Sequence, residues 1–219
     1  MSIVKVTLVQ IPSCGPKIKL EMVGKSGLGN KKSGHLKNKN MKTNYENALS
    51  SELVSKAREY ATLKHFETNH KYDGKPYETH LQMVFDYACK YAYILPDEES
   101  IKWCLAAAWT HDTIEDCRQT YNDVREVLGG AVAGITYALT NEKGKNRKER
   151  ASNKYYDEMR NTPFASFVKI CDRLANAKYS KEAGSKMVEA YKKEQPFFKQ
   201  HLWALSVNDM FEELETLLS

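Results

Sequence analysis

The 219-residue sequence lacks most of what would place it in a membrane, outside the cell or in a disulfide scaffold. It has no apolar run near the ~20 residues that a membrane span needs. Its N-terminus lacks the charged-then-apolar layout of a secretory signal. Its five cysteines are odd in number and show no paired spacing, which argues against a disulfide framework and fits reduced thiols in a cytoplasmic protein. Cys89, Cys104 and Cys171 lie in apolar patterns and read as small core residues. Acidic residues are almost missing from the first 45 positions, which hold nine lysines and one glutamate, a charge of +8. The remaining 174 residues therefore carry −3 of the net +5. The basic character belongs to the leader, so a nucleic-acid role for the body gains nothing from the overall charge.

Within the leader, Ile3 to Val9 and Lys17 to Val23 alternate apolar with polar around Pro12-Ser13-Cys14-Gly15-Pro16, the pattern of a β-hairpin. Gly24 to Lys42 is rich in Gly, Asn and Lys and has almost nothing to bury, as in a linker or basic arm. Residues 1–45 thus read as a basic extension and 46–219 as the functional domain. Any contact with nucleic acid is expected through the leader alone. Met41 directly precedes the body, and deleting residues 1–40 should leave catalysis intact.

The body shows helical periods and no strand alternation or internal repeat, so the expected fold class is all-α. Helices are expected over Asn47–Asn69, with Leu49, Leu53, Ala57, Tyr60, Ala61 and Lys64 on one face and Ser50 or Ser51 as cap. A loop follows at His70–Tyr77, marked by Asp-Gly and Pro. Further helices are expected over Glu78–Tyr93, from Pro96-Asp97 into His111-Asp112, over Tyr121–Leu128 up to Gly129-Gly130, and over Ala131–Leu139. Asn141–Arg150 reads as a charged loop or helix start, followed by helices over Ser152–Met159, Phe164–Asn176, Lys186–Tyr191 and Phe197–Leu218.

One run stands out: Trp109-Thr110-His111-Asp112-Thr113-Ile114-Glu115-Asp116-Cys117. It ends the apolar stretch Ile101–Trp109, where an ionisable pair is costly unless paired or bound to metal. On a helix, His111 and Asp112 are too close in sequence to pair well with each other. Glu115 lies a turn beyond His111, and Asp116 a turn beyond Asp112. His80 opens another helix, and Asp172 sits inside the apolar stretch Phe167–Leu174. An ion pair of Asp172 with Lys169 or Arg173 is the competing reading. Together His80, His111, Asp112 and Asp172 offer two imidazoles and two carboxylates from three helices. That donor set suits a divalent ion of borderline hardness, Mn2+, Fe2+ or Zn2+, with positions left for water.

Three segments carry a family resemblance. His70-Lys71-Tyr72-Asp73-Gly74-Lys75-Pro76-Tyr77-Glu78-Thr79-His80 is similar to R-K-x-G-E-P-Y-x-x-H. His111-Asp112-Thr113-Ile114-Glu115-Asp116 is similar to H-D-x-x-E-D. Val168-Lys169-Ile170-Cys171-Asp172-Arg173-Leu174-Ala175-Asn176 is similar to V-K-x-A-D-R-L-x-N. In this order they resemble the HD phosphohydrolases, and within them the hydrolase domain of RelA/SpoT proteins and the stand-alone small alarmone hydrolases of the metazoan SpoT-homologue type. The resemblance spans roughly Asn47 to Phe198. It implies an HD-domain helical bundle in which His80, His111, Asp112 and Asp172 hold one Mn2+. It implies that Glu115 and Asp116 orient the attacking water or act as acid and base. Asn176 would contact the nucleoside, and Lys71 with its loop the base or phosphates. The implied reaction removes the 3′-pyrophosphate from guanosine tetra- or pentaphosphate, as in the stringent response.

The alternative is an HD phosphatase acting on another nucleotide, such as NADPH or a nucleoside phosphate. Of the basic run Lys143, Lys145, Arg147, Lys148 and Arg150, the forked guanidiniums of Arg147 and Arg150 suit the substrate's other phosphates best. His70 stands where the family has an Arg that packs on guanine, and Leu81 replaces the usual Pro after His80. Tyr179 replaces a frequent Thr and could stack on a ring. The expected partners are a nucleotide and no membrane; the sequence allows a homo-oligomer.

Overall fold

The computed structural model describes residues 3–11, 14–23, 41–141 and 146–219. Residues 24–40 of the expected linker lie outside the described residues, as do the turn residues Pro12 and Ser13, the basic residues Lys143 and Lys145, and the side chain of Lys148. The leader does form a hairpin, with strands β1 (Ile3–Ile11) and β2 (Cys14–Val23) paired antiparallel from Ile3↔Val23 to Ile11↔Cys14. Both strands run further toward the turn than the alternation suggested. The register shifts between Val9 and Ile11, so Gly15 and Pro16 together oppose Gln10. A bulge of this kind is where a strand accommodates proline, which has no N–H to give.

The body is all-α, as expected. Helix α1 (residues 41–49) begins ahead of the expected boundary at 46 and buries Tyr45 and Ala48 in the core. The sequence suggested one helix from Asn47 to Asn69, but the chain breaks at Ser50-Ser51. There the Ser51 hydroxyl accepts the Val54 N–H and starts α2 (Glu52–Glu67) afresh. The buried stripe of α2 is Val54, Ala57, Ala61 and His65. It is rotated by a residue from the expected face, so His65 is inside and Lys64 is not.

The expected loop at 70–77 contains a two-rung ladder, β3 (Lys71–Tyr72) with β4 (Lys75–Pro76). Asp73 (φ 50°) and Gly74 (φ 77°) turn it, the paired positive φ of a type I′ hairpin, for which Asp-Gly is the favoured sequence. Next come α3 (Glu78–Tyr91), a short 3-10 turn, and α4 (Glu98–Thr110). Asp97 and Ser100 cap α4 reciprocally. A single turn, α5 (Thr113–Asp116), leads to α6 (Tyr121–Leu139), which Gly129 (φ 82°, ψ 168°) divides as its sequence indicated. Then follow α7 (Arg147–Arg150), α8 (Asn153–Asn161) and α9 (Ala165–Glu182). The last helices are α10 (Met187–Leu202) and α11 (Asn208–Leu218). Helix α9 outruns its expected end at Asn176. Helix α10 passes through Pro196 and stops instead at Trp203, so the expected break before Phe197 is displaced by about three turns.

Helix α4 is the spine. It packs on α2, α3, α6 and α9, while α9 also meets α3, α10 and α11. Its run Cys104–Trp109 is buried, and the consecutive alanines let neighbouring helices approach closely. Trp109 packs on Phe85 with ring centroids 5.1 Å apart. Cys89, Cys104 and Cys171 are fully buried, as small core residues. Each fully buried Leu or Phe in this core contributes roughly 1.5–3 kcal/mol. Among the described residues no helix is long and apolar enough to cross a membrane.

Candidate active site

The end of α4, the start of α3 and the middle of α9 converge on one point. His80 Nε2 lies 3.2 Å from His111 Nε2 and 3.2 Å from Asp172 Oδ1. Asp112 Oδ2 lies 3.0 Å from His111 Nε2 and 3.7 Å from His80 Nε2. All four of the expected donors are therefore brought together. One expectation was wrong: His111 and Asp112 do pair with each other. They are not within a helix, because α4 ends at Thr110 and α5 begins at Thr113, and the turn between lets the carboxylate fold back onto the imidazole. Thr113 Oγ1 fixes that turn by donating to Thr110 O at 2.7 Å. The Thr110 and Thr136 hydroxyls tie it to α6 at 2.8 Å.

The cluster concentrates negative charge in a buried place. Burial alone would keep His111 neutral, yet Asp112 pushes its pKa up to about 9. Burial works against ionisation of both acids. It is outweighed by His111 at Asp112 and by Lys169 at Asp172, which hold both carboxyls well below their usual range. The site thus favours positive charge, which Lys169 and a proton on His111 supply. A divalent cation would supply it equally while leaving His111 neutral. The hydrogen bonding suits that exchange. His111 Nδ1–H donates to Ala108 O at 3.0 Å, so in the neutral ring the Nε2 lone pair would face the cluster, the orientation a histidine ligand needs. His80 Nδ1 is buried without a partner among the described residues. His80, His111 and Asp112 meet the geometry of a metal-holding group, and the donor chemistry fits Mn2+, Fe2+ or Zn2+.

Supporting side chains surround these four. Tyr77 Oη donates to Asp112 Oδ2. Lys169 Nζ donates to Asp172 Oδ2 at 2.9 Å, and Asn176 Nδ2 to Asp172 Oδ1 at 2.5 Å. The ion pair that competed with ligation for Asp172 is real and made by Lys169, but Asp172 Oδ1 still faces His80. Arg173 turns instead to Glu194.

A cleft of about 260 Å3 opens beside His80, Asp112 and Asp172. Glu115 and Asp116 line it. Glu115 Oε2 accepts from the Asn141 backbone N–H at 3.1 Å and from its amide at 2.9 Å. Burial, with Asp112 and Glu115 nearby, raises the Asp116 pKa to about 7. Arg147, Arg150 and Asn176 also line the cleft, as do Arg173, Glu194 and Tyr191.

His70, Lys71 and Tyr179 do not line this cleft. His70 packs on Tyr77 at 4.0 Å, shares a 3.0 Å Nδ1···Nδ1 contact with His65, and lies 3.7 Å from Asp116 Oδ2. Lys71 is exposed. Tyr179 Oη donates to Asp73 Oδ2 at 2.7 Å across the β3–β4 turn. Tyr72 connects this hairpin to the centre, its ring stacked on His80 at 4.8 Å and its hydroxyl donating to Asn176 Oδ1 at 2.9 Å. Tyr72, Tyr77, His65, Glu194 and Tyr191 join the site without having been singled out in the sequence. Tyr72 and Tyr77 stood inside a motif already in view; the others carried no spacing signal.

No family model matches the chain. It is 30% identical over 133 residues to a guanosine-3′,5′-bis(diphosphate) 3′-pyrophosphohydrolase MESH1 of Danio rerio, an alignment covering 59% of this chain and 70% of that protein. The chain belongs to the HD-domain alarmone hydrolase family. Another member, a guanosine-3′,5′-bis(diphosphate) 3′-pyrophosphohydrolase of Aquifex aeolicus, is 35% identical over 131 residues, 58% of this chain but only 18% of its own length. The human MESH1 protein is 31% identical over 123 residues, 55% of this chain and 65% of that one. A solved structure of a metazoan SpoT ortholog, described as hydrolysing ppGpp and acting in starvation responses, superposes with a TM-score of 0.60. It covers 76% of this chain and 94% of its own at 21% identity, which establishes the HD-domain fold.

Proposed function

We propose that this chain hydrolyses the 3′-pyrophosphate of guanosine tetra- or pentaphosphate with the help of one divalent cation, Mn2+ in the first instance, in the cytoplasm. The observation that carries the reading is the convergence of His80, His111, Asp112 and Asp172 beside a cleft lined by paired acids and by arginines. The relatives' activity toward guanosine-3′,5′-bis(diphosphate) supports the choice of substrate. We take residues 41–219 as the catalytic unit and residues 1–40 as a dispensable basic extension.

The four donors would hold the cation. Once bound, it would absorb charge on the phosphoryl oxygens and acidify a water molecule. The chain's own groups supply the rest. Asp116, with its pKa near 7, is suited to take a proton from the attacking water on its carboxylate and release it again near neutral pH. Glu115, oriented by two donors from Asn141, holds that water by accepting its other O–H. Lys169 and Asn176 keep the Asp172 carboxylate in place. Arg147 and Arg150 receive the phosphates that are not cleaved, and Asn176 meets the nucleoside. His70, Lys71 and Tyr179 lie around the β3–β4 hairpin and meet the base; one face of the His70 ring is already taken by Tyr77. That smaller stacking surface favours a second reading, an HD phosphatase for another nucleotide such as NADPH.

The test is incubation with guanosine tetraphosphate and Mn2+. Release of pyrophosphate, reduced at least a hundredfold in Glu115→Gln and Asp116→Asn, is the expected result. No pyrophosphate, with phosphate freed from NADPH or a nucleoside phosphate instead, would replace the first reading by the second.

A further inference from the structure

The arginine wall of the cleft already holds an anion. Glu194 of α10 accepts from Arg173 Nη1 at 2.7 Å and from Arg147 Nη2 at 3.2 Å, both on Oε2. Arg147 Nε also donates to Oε1. Guanidiniums from two different elements, α7 and α9, thus converge on one carboxylate oxygen inside the cleft. Both guanidiniums also pack on aromatic rings. The Tyr191 ring carries Arg147 at 5.1 Å and Arg173 at 4.7 Å from its centroid, and the Phe198 ring backs Arg173 at 4.7 Å. Forked donors, stacked on aromatic rings and aimed at a shared point, are the arrangement that receives phosphate oxygens. Lys169, which lines the same cleft, is committed to Asp172, so it offers no alternative phosphate contact.

We propose that Glu194 is an internal competitor for a phosphate site: its Oε2 stands where a substrate phosphate oxygen goes, and the incoming phosphate expels it. The inference rests on reading the cleft as a nucleotide phosphohydrolase site. It makes Glu194 a determinant of affinity that never touches the reacting bond. The carboxylate withdraws when a phosphate arrives, and its return helps the product leave. The two guanidiniums stay stacked throughout, so the site never opens to unpaired cations. The side chain has room to move, since Glu194 is 31% exposed whereas Arg173 is 9% exposed.

Glu194→Gln removes the competing charge and keeps the side-chain shape. Isothermal titration of the full chain with guanosine 5′-diphosphate, in EDTA and without added metal, should give a dissociation constant about tenfold lower in Glu194→Gln than in the native protein. Guanosine, which has no phosphate, should show no gain. Equal or weaker diphosphate binding by the variant overturns the proposal, as does an equal gain for guanosine or no diphosphate binding by either protein. If Glu194→Gln shows no cooperative melting, Glu194→Asp, a methylene shorter, should shift the constant in the same direction. A native protein that turns over no nucleotide would refute the proposed function and leave this comparison of affinities intact.

Discussion

Replacing Lys169 by Met isolates the electrostatic demand of the site. Lys169 and Asp172 form an ion pair at 2.9 Å with side chains only 14% and 11% exposed. Burial disfavours the lysine's charge, and Asp172 outweighs it, so Lys169 stays protonated well above its ordinary pKa. Lys169→Met keeps most of the volume and leaves Asp172 buried beside Asp112 with less compensation. Breaking a buried pair from one side costs about 3–5 kcal/mol. At roughly 2–4 °C per kcal/mol for a domain of this size, the melting temperature should fall by about 6–20 °C in EDTA. The sign with pH follows from Asp172. Its folded pKa is depressed, so its contribution is present above the ordinary value of 3.8 and fades below it. The gap between native protein and variant should therefore narrow as the solution is acidified. Added Mn2+ supplies the missing charge and should raise the variant's melting temperature by more than the native protein's. Scanning calorimetry with and without Mn2+ reads all of this. A fall below about 1 kcal/mol in EDTA, or equal metal stabilisation of both proteins, would refute the reasoning.

His65 gives a second, acid-dependent prediction. Burial lowers its pKa from 6.5 to about 3, so the unfolded chain takes up a proton between these values and the folded one does not. Stability should fall as the pH drops from 6.5 toward 3, by as much as ~5 kcal/mol. Urea titrations of His65→Phe should show a shallower fall over the same window, and an identical slope would exclude His65 as the cause. At the β3–β4 turn, a Cβ on Gly74 meets no neighbour within 4 Å, so only its φ of 77° resists substitution. Gly74→Val should lose about 1–2 kcal/mol in thermal melting, whereas Gly74→Asn should lose less than half of that. Equal losses would show that φ is not the constraint.

Much of the site was legible because its chemistry sits in short contiguous motifs. His111-Asp112 and Glu115-Asp116 lie on a single turn of chain, and His80 and Asp172 each interrupt an apolar pattern where a charged group needs a reason. The helix starts at Asp97, Thr120 and Ser152 carry side-chain caps, and Gly129 marks its own break. What was misread depended on tertiary structure. The His111–Asp112 pair forms only because α4 ends one residue before it, and apolar periodicity does not reveal that end. The face of α2 was misjudged by one residue because His65 is polar yet buried against Tyr77, at a ring distance of 4.2 Å. Helix α10 continues through Pro196 because packing of Tyr191, Phe198 and Leu202 against the core outweighs one lost hydrogen bond. Glu194 could not be singled out, since its meaning comes from two arginines that are 47 and 21 residues away in sequence.

One shared cation among His80, His111, Asp112 and Asp172 is the central requirement of the proposed chemistry. Elemental analysis of the protein after loading with Mn2+ and removal of the excess tests this most directly, joined to the same analysis of His80→Ala and Asp172→Asn. The expected result is about one Mn2+ per chain in the native protein and a loss of most of it in both folded variants, since each removes a donor. Unchanged metal content in either variant, or none in the native protein, would contradict it.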